Sequence, residues 1–350
     1  MLHQTEADKY TNPVTDTLSK ALAALRAEPQ MLALARAYES LEPKAIEKLS
    51  VEEARSQPTI ADAIDKLLRE QGRSTDPAEL FPGVESRDTQ VPGATGPLPA
   101  RIYQPRSDQP LPIILFFHGG GWVVADKAAY DGSARGLALE THAMVVSLDY
   151  RQAPEHKFPA AWDDALAVYR WLQGPAANLG GDPERLALAG ESAGGTLALA
   201  TAIAARDAQL RPPAHVACVY PLAQTSLYTE SHLENAIAKP LNRAMVSWFL
   251  GHLVNSPADL ADPRLSLLDA ELHGLPPVTI VNAGIDPLRA DGSRLQATLE
   301  LKGNNVRREI YTGMAHEFFG AAAVLDTARE AQRYIARRLI ASFGHRQVPR

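Results

Sequence analysis

Two periodicities divide the chain. Up to about residue 83, apolar residues recur at helical spacing: Leu18, Leu22 and Leu25, then Met31, Leu34 and Ala35. Pro29 interrupts this stretch, because it lacks an N–H and its ring clashes with the preceding turn. Ile60 to Glu70 is another amphipathic helix, with Thr59 or Ser56 available as its N-cap. Helices of this kind bury little by themselves, so they need a larger body to lie on. From Val84 the period becomes two. Arg87–Val91 and Leu98–Tyr103 flank Pro92-Gly-Ala-Thr-Gly-Pro97, which reads as a hairpin. Short apolar runs then alternate with helical segments. Strands fall at 112–117, near 143–148, at 185–189, near 216–220, at 278–281 and at 306–311. Helices fall near 159–173, 194–206, 292–302 and 325–341. Such alternation predicts an α/β fold, a mostly parallel sheet with helices on both faces. Residues from about 224 to 260 interrupt it with the bulky amphipathic segment Leu241–Leu250. There are no internal repeats and no low-complexity tracts.

The loops of that pattern carry the chemistry. Gly190-Glu-Ser-Ala-Gly-Gly195 lies between the strand at 185–189 and a helix. A strained strand-to-helix corner needs residues without a Cβ, and it holds Ser192 exposed above a helix N-terminus. The N–H of Ala193 points where an oxyanion would form. A second motif, His118-Gly-Gly-Gly-Trp122, ends the strand at 112–117. Its unobstructed amides suit a developing alkoxide, with Gly120 and Gly121 the expected donors and Gly119 their less certain neighbour. A phosphate cradle is the competing reading, but no P-loop Lys-Ser/Thr follows. A free serine hydroxyl needs an adjacent base. Asp286 follows the strand at 278–281, and His316 follows the strand at 306–311. Asp291 competes with Asp286; in a first helical turn a carboxylate is favoured by the dipole without any catalytic role. His118 is expected to fix its loop rather than to exchange protons. Glu191 either braces the corner or simply sits at a helix N-terminus. Trp122, Trp248 and Phe249 are candidate pocket walls, and Arg151 with Glu155 a structural pair.

Composition narrows the classes. The formal net charge is −6 and no basic stripe occurs, which argues against nucleic acid and anionic membranes as partners. Arg333, Arg337 and Arg338 read as the solvated face of a terminal helix. The single cysteine, Cys218, allows no internal disulfide and fits a reducing, cytoplasmic setting. No metal-ligand spacing occurs, and no apolar run is long enough to span a bilayer. The first ten residues do not read as a signal peptide.

The motifs His118-Gly-Gly-Gly-Trp122, Gly190-Glu-Ser-Ala-Gly-Gly195, Asp286-Pro-Leu288 and Gly313-Met-Ala-His316-Glu-Phe318 together resemble the hormone-sensitive-lipase family of α/β-hydrolases, in its bacterial carboxylesterase branch. Asp149-Tyr-Arg-Gln-Ala-Pro-Glu155, Phe158–Asp164 and Asp262-Pro-Arg264 add to the likeness, which covers roughly residues 85–342. Glu191 stands where the family more often has Asp, and Gln152 where it more often has Leu. The resemblance implies hydrolysis of short- to medium-chain esters through an acyl-enzyme, with a Ser192–Asp286–His316 triad and no metal or cofactor. It implies a core of 84–223 and 261–350, under a helical cap made of 1–83 and the insertion 224–260. It also favours a homodimer through the edge strand 306–311 and the C-terminal helix. An amidase, acyltransferase or peptidase on the same fold is the nearest rival. A lipase acting on longer chains at a lipid surface comes next. A non-catalytic ligand-binding relative would lack His316.

Overall fold

The computed structural model describes residues 25–174 and 178–344, so Leu18 and Leu22 lie outside the described residues. Ahead of the sheet the described residues form α1 (Pro29–Glu39), α2 (Val51–Arg55), α3 (Ile60–Glu70) and α4 (Pro77–Leu80). The hairpin β1 (Val84–Pro92) and β2 (Pro97–Pro105) leads to β3 (Leu111–Phe117), α5 (Asp131–Thr141), β4 (Met144–Leu148) and α6 (Ala160–Leu172). Next are β5 (Gly181–Glu191), α7 (Ala193–Asp207), β6 (Val216–Val219), and the helices α8 (Glu230–Glu234) and α9 (Arg243–Leu253) of the interrupted stretch. The chain closes with β7 (Val278–Ile285), α10 (Arg289–Leu301), β8 (Val306–Ala315) and α11 (Asp326–Gly344).

One eight-stranded sheet results, in the order β1-β2-β4-β3-β5-β6-β7-β8. The first three strands pair antiparallel and the remainder parallel. Every residue of β4, β6 and β7 is buried, as a sheet covered on both faces requires. After β3 the chain moves one way to β4 and then the other way to β5. That reversal leaves a crevice at the carboxyl ends of β3 and β5, where ligands of open α/β sheets bind. The register Phe117↔Gly190 places the loops after these two strands side by side.

Local chemistry explains the ends of the helices. Pro29 does interrupt the first helical stretch, and it does so by occupying the opening turn of α1, where a missing N–H costs nothing. Thr59, rather than Ser56, caps α3, in a reciprocal box with Asp62. Met31, Leu34 and Ala37 are the buried face of α1, whereas Leu25 is 82% exposed. The faces of α1 and α3 pack into the same apolar cluster as Phe318 and Phe319. On α11, Arg333 and Arg337 are exposed, whereas Arg338, expected on the same face, is turned about 100° from Arg337 and half-buried.

One expected pair is exchanged for two. Arg151 does not meet Glu155; its guanidinium grips Asp164, with Nε 2.8 Å from Oδ2 and Nη2 3.0 Å from Oδ1. Asp164 is fully buried and also accepts the Ala94 amide of the hairpin turn. Breaking a buried pair of this kind costs about 3–5 kcal/mol, against about 0–1 kcal/mol for an exposed pair such as Arg106–Glu85. Glu155 instead takes both Nη atoms of Arg55 from α2, whose Nε reaches the Val123 carbonyl at 2.9 Å. That bidentate contact holds the Glu155 carboxyl down to about 2. The exchange matters for the site, because it ties α2 to the loop that follows the three glycines.

Candidate active site

Ser192 sits between β5 and α7 with φ 54° and ψ −120°, a conformation that costs of order 1–3 kcal/mol unless its surroundings impose it. They do. Its amide donates to Val219 O at 2.8 Å, and the carbonyl of Phe117 lies where a Cβ on Gly194 would stand, 2.0 Å away. Only glycine lets α7 approach β3 that closely.

His316 and Asp286 reach the same point from the ends of β8 and β7. His316 Nδ1 is 2.8 Å from Asp286 Oδ2, which only accepts, so Nδ1 carries the proton. Nε2 is then free to accept, and it lies 3.0 Å from Ser192 Oγ. Burial pulls the imidazole pKa down. The charge and hydrogen bond of Asp286, helped by Glu317 and Glu191, outweigh that, and the pKa stands above its ordinary 6.5. Asp291 is not a rival. It faces away into the loop after β6, taking the Ala223 amide at 2.9 Å and the Gln224 side chain at 3.2 Å, and burial lifts it to about 7. Its role is therefore not a bare dipole effect but the anchoring of that loop.

The turn that carries Asp286 is clamped from outside the sheet. The Leu288 amide donates to Asp286 Oδ1 at 2.8 Å. From α8, Ser231 Oγ donates to Pro287 O at 2.6 Å and accepts the Ala290 amide at 3.0 Å. Asn235 Nδ2 donates to Asp286 O at 3.2 Å and is itself held by Arg26, whose Nη2 lies 2.9 Å from Asn235 Oδ1. Glu234 bridges Arg26 and Arg289. Nothing in the sequence pattern pointed to these residues, which meet Asp286 only in three dimensions.

The glycine motif divides. Gly120 and Gly121 line the central cavity with Ala193, and neither glycine amide makes a backbone hydrogen bond among the described residues. Ala193 opens α7, so its N–H has no partner within the helix. Gly119 lies behind the wall. Its missing Cβ makes room for the Tyr130 hydroxyl, which would otherwise stand 2.3 Å away. His118 braces the loop as expected, with Nδ1 2.7 Å from Gly119 O and its ring stacked 4.4 Å from Tyr150. Gln152 donates to Val124 O and Ala125 O at 3.0 and 2.8 Å, a task a leucine there would not perform.

The cavity measures about 540 Å3. Trp122 and Phe249 line it, Phe249 with its ring over Gly121. Trp248 does not. Successive residues of α9 point about 100° apart, so with Phe249 turned inward Trp248 packs edge-on against Phe249 and His252 instead. Glu191 is more than an adjacent carboxylate at a helix end. It accepts a hydrogen bond from Tyr220, and burial lifts its carboxyl to about 7.

A family model described as an alpha/beta hydrolase fold matches residues 114–320. The carboxylesterase NlhH of Mycobacterium tuberculosis is 37% identical over 280 residues, 78% of this chain and 88% of that protein. The ethyl acetate hydrolase of Pseudomonas putida is 34% identical, over 67% of this chain and 75% of its own length. Among solved structures, an esterase of Pyrobaculum calidifontis superposes with a TM-score of 0.78 at 31% identity, over 90% of this chain and 98% of that one.

The two aspartates respond differently to amidation. Were Ser192, His316 and Asp286 to act as a triad, Asp286→Asn would keep its oxygen on the Leu288 amide and turn an NH2 donor to His316 Nδ1, lowering kcat on p-nitrophenyl acetate by about 10³–10⁴-fold. A triad histidine must be neutral to take a proton, so the rising limb of activity with pH is expected above pH 6.5 for the native protein and lower for Asp286→Asn. Asp291→Asn instead costs about 1–3 kcal/mol of stability by thermal unfolding, with kcat per folded molecule retained.

Proposed function

We propose that this chain, which belongs to the α/β-hydrolase family and is a carboxylic ester hydrolase of the hormone-sensitive-lipase type, works through an acyl-enzyme formed on Ser192. One observation carries the reading: an unbroken hydrogen-bond chain from Asp286 through His316 to Ser192 Oγ, ending at the wall of a cavity. His316 Nε2 takes the Ser192 proton as Oγ attacks the ester carbonyl. The oxyanion then accepts hydrogen bonds from the amides of Gly120, Gly121 and Ala193. As the tetrahedral intermediate collapses, His316 returns the proton to the leaving alcohol. Water enters, gives its proton to the same nitrogen, and frees the acid.

The acyl chain lies in the apolar part of the cavity, against Trp122, Leu222, Met245, Phe249 and Leu288. At about 540 Å3 the whole space suits a small ligand rather than a long acyl chain. This agrees with the short substrate named for the Pseudomonas putida relative. The N-terminal helices and the 224–260 insertion act together as the cap over this space, since residues of both line it. Among the described residues no helix is long and apolar enough to cross a membrane. Cys218, buried in β6, fits an enzyme of the cytoplasm.

In this reading two copies pair along β8, which lies at a sheet edge. Arg308 is already committed within the chain, with Nε 2.8 Å from Gln296 Oε1, so exposed Arg307 is the residue that meets Glu309 of a second copy. Light scattering at micromolar concentration gives twice the chain mass, and Ile310→Pro lowers it to one chain without unfolding. A single-chain mass for the native protein removes the interface.

Ser192→Ala lowers kcat by about 10⁵–10⁶-fold, and adding His316→Ala costs little more, because the two act as a unit. Across p-nitrophenyl esters, kcat/KM peaks between acetyl and hexanoyl. A peak at long chains with activation at an oil–water interface would replace this reading with a lipase.

A further inference from the structure

One polar group at the site touches none of the atoms that react in the acyl-enzyme chemistry. Glu317 follows His316 directly, with its backbone in the left-handed region at φ 63°, which a glutamate seldom adopts. It lies deep enough for burial to raise its carboxyl pKa, yet it is partly exposed, and it lines the cavity. The Tyr130 hydroxyl donates to its Oε1 at 3.2 Å. Its Oε2 takes no hydrogen bond among the described residues. Glu191 and Ser133 line the same space, but the Ser133 hydroxyl stands beside the Glu191 carboxyl and favours its charge, so that pair can satisfy itself. His316 is the cationic neighbour that favours the charge of both Glu317 and Glu191.

Buried polar atoms are costly without partners, and groups left open towards a cavity take their partner from what enters it. Which part of an ester enters here follows from the proton. The leaving oxygen must meet His316 Nε2 to be protonated, so the groups beside His316 border the alcohol and not the acyl chain. An alkyl alcohol would leave Glu317 Oε2 unpaired. An alcohol that carries its own donor would satisfy it.

We infer that Glu317 forms an acceptor site for the alcohol part of the ester and selects substrates whose leaving alcohol bears a hydroxyl or a protonated amine. The inference rests on the Ser192–His316 reading above and names the substrate class of that site. Sites built to hydrogen-bond a substrate group reject the analogue that lacks it, because their own groups then stay unpaired.

The test uses the full chain and two pairs of acetate esters matched in shape. The first pair is 2-hydroxyethyl acetate and propyl acetate. The second is 2-(dimethylamino)ethyl acetate, protonated at neutral pH, and 3-methylbutyl acetate. Each rate is normalised to that ester's alkaline hydrolysis. The native enzyme favours the donor-bearing member of at least one pair by about tenfold in kcat/KM, as expected for a hydrogen bond to a carboxylate. The pair showing the preference identifies the donor as hydroxyl or amine. Glu317→Leu brings the ratio to about one, whichever way the absolute rates move. Glu317→Gln keeps an acceptor for the Tyr130 hydroxyl and serves if the leucine variant does not fold. It retains part of a hydroxyl preference and loses an amine preference. Ratios near one for both pairs in the native enzyme overturn the inference, as does a native preference that survives in Glu317→Leu. Absence of turnover on all four esters would be a different failure, that of the acyl-enzyme reading itself.

Discussion

Everything at the site depends on how closely α7 is allowed to approach β3. The carbonyl of Phe117 occupies the space where any residue but glycine at 194 would put its Cβ. That approach drives Ser192 into its strained conformation and sets the start of α7 under the loop of three glycines. The parallel pairing of Phe117 with Gly190 keeps the two loops level. Shift that register by one residue and every side chain of β5 changes face. The hydroxyl and the open amides of Gly120 and Gly121 would then no longer share one space.

The second constraint is electrostatic. Asp286, Asp291, Glu191 and His316 are all buried within one region of the molecule. Each is hydrogen-bonded, and the bonds of the two aspartates also fix segments of backbone. Asp286 serves His316 with one oxygen and its own turn with the other. Asp291 holds the loop after β6. The insertion and the first described residues complete the arrangement through Ser231, Asn235 and Arg26. The segments that wall the cavity therefore also steady the turn behind the histidine. Binding and positioning are carried by the same stretch of chain.

Where reading the sequence fell short, the reason is the same each time. Trp248 and Phe249 are neighbours on one amphipathic helix, and composition treats both as candidate walls; only the rotation of α9 decides which one faces Gly121. Arg151 and Glu155 are four apart and of opposite charge, yet each finds a partner remote in sequence, Asp164 and Arg55. Gly119 looks equivalent to the two glycines after it, but its hydrogen makes space for Tyr130. In each case local spacing offers several geometries, and a packing partner far along the chain selects one.

The sequence by itself determined the alternation of strand and helix, the hairpin, the edge position of the last strand and the serine, aspartate and histidine at three strand ends. Those features follow from local chemistry: periodicity, the conformational freedom of glycine and the fixed φ of proline. The tertiary structure alone decided which amides face the cavity, which aromatic ring closes it, what clamps the turn of Asp286 and where the Glu317 carboxyl points. These depend on distances between residues up to about two hundred positions apart in the chain, such as Arg26 and Asn235. Such distances are set by the packing of layers around the sheet, and no local pattern of residue types encodes them.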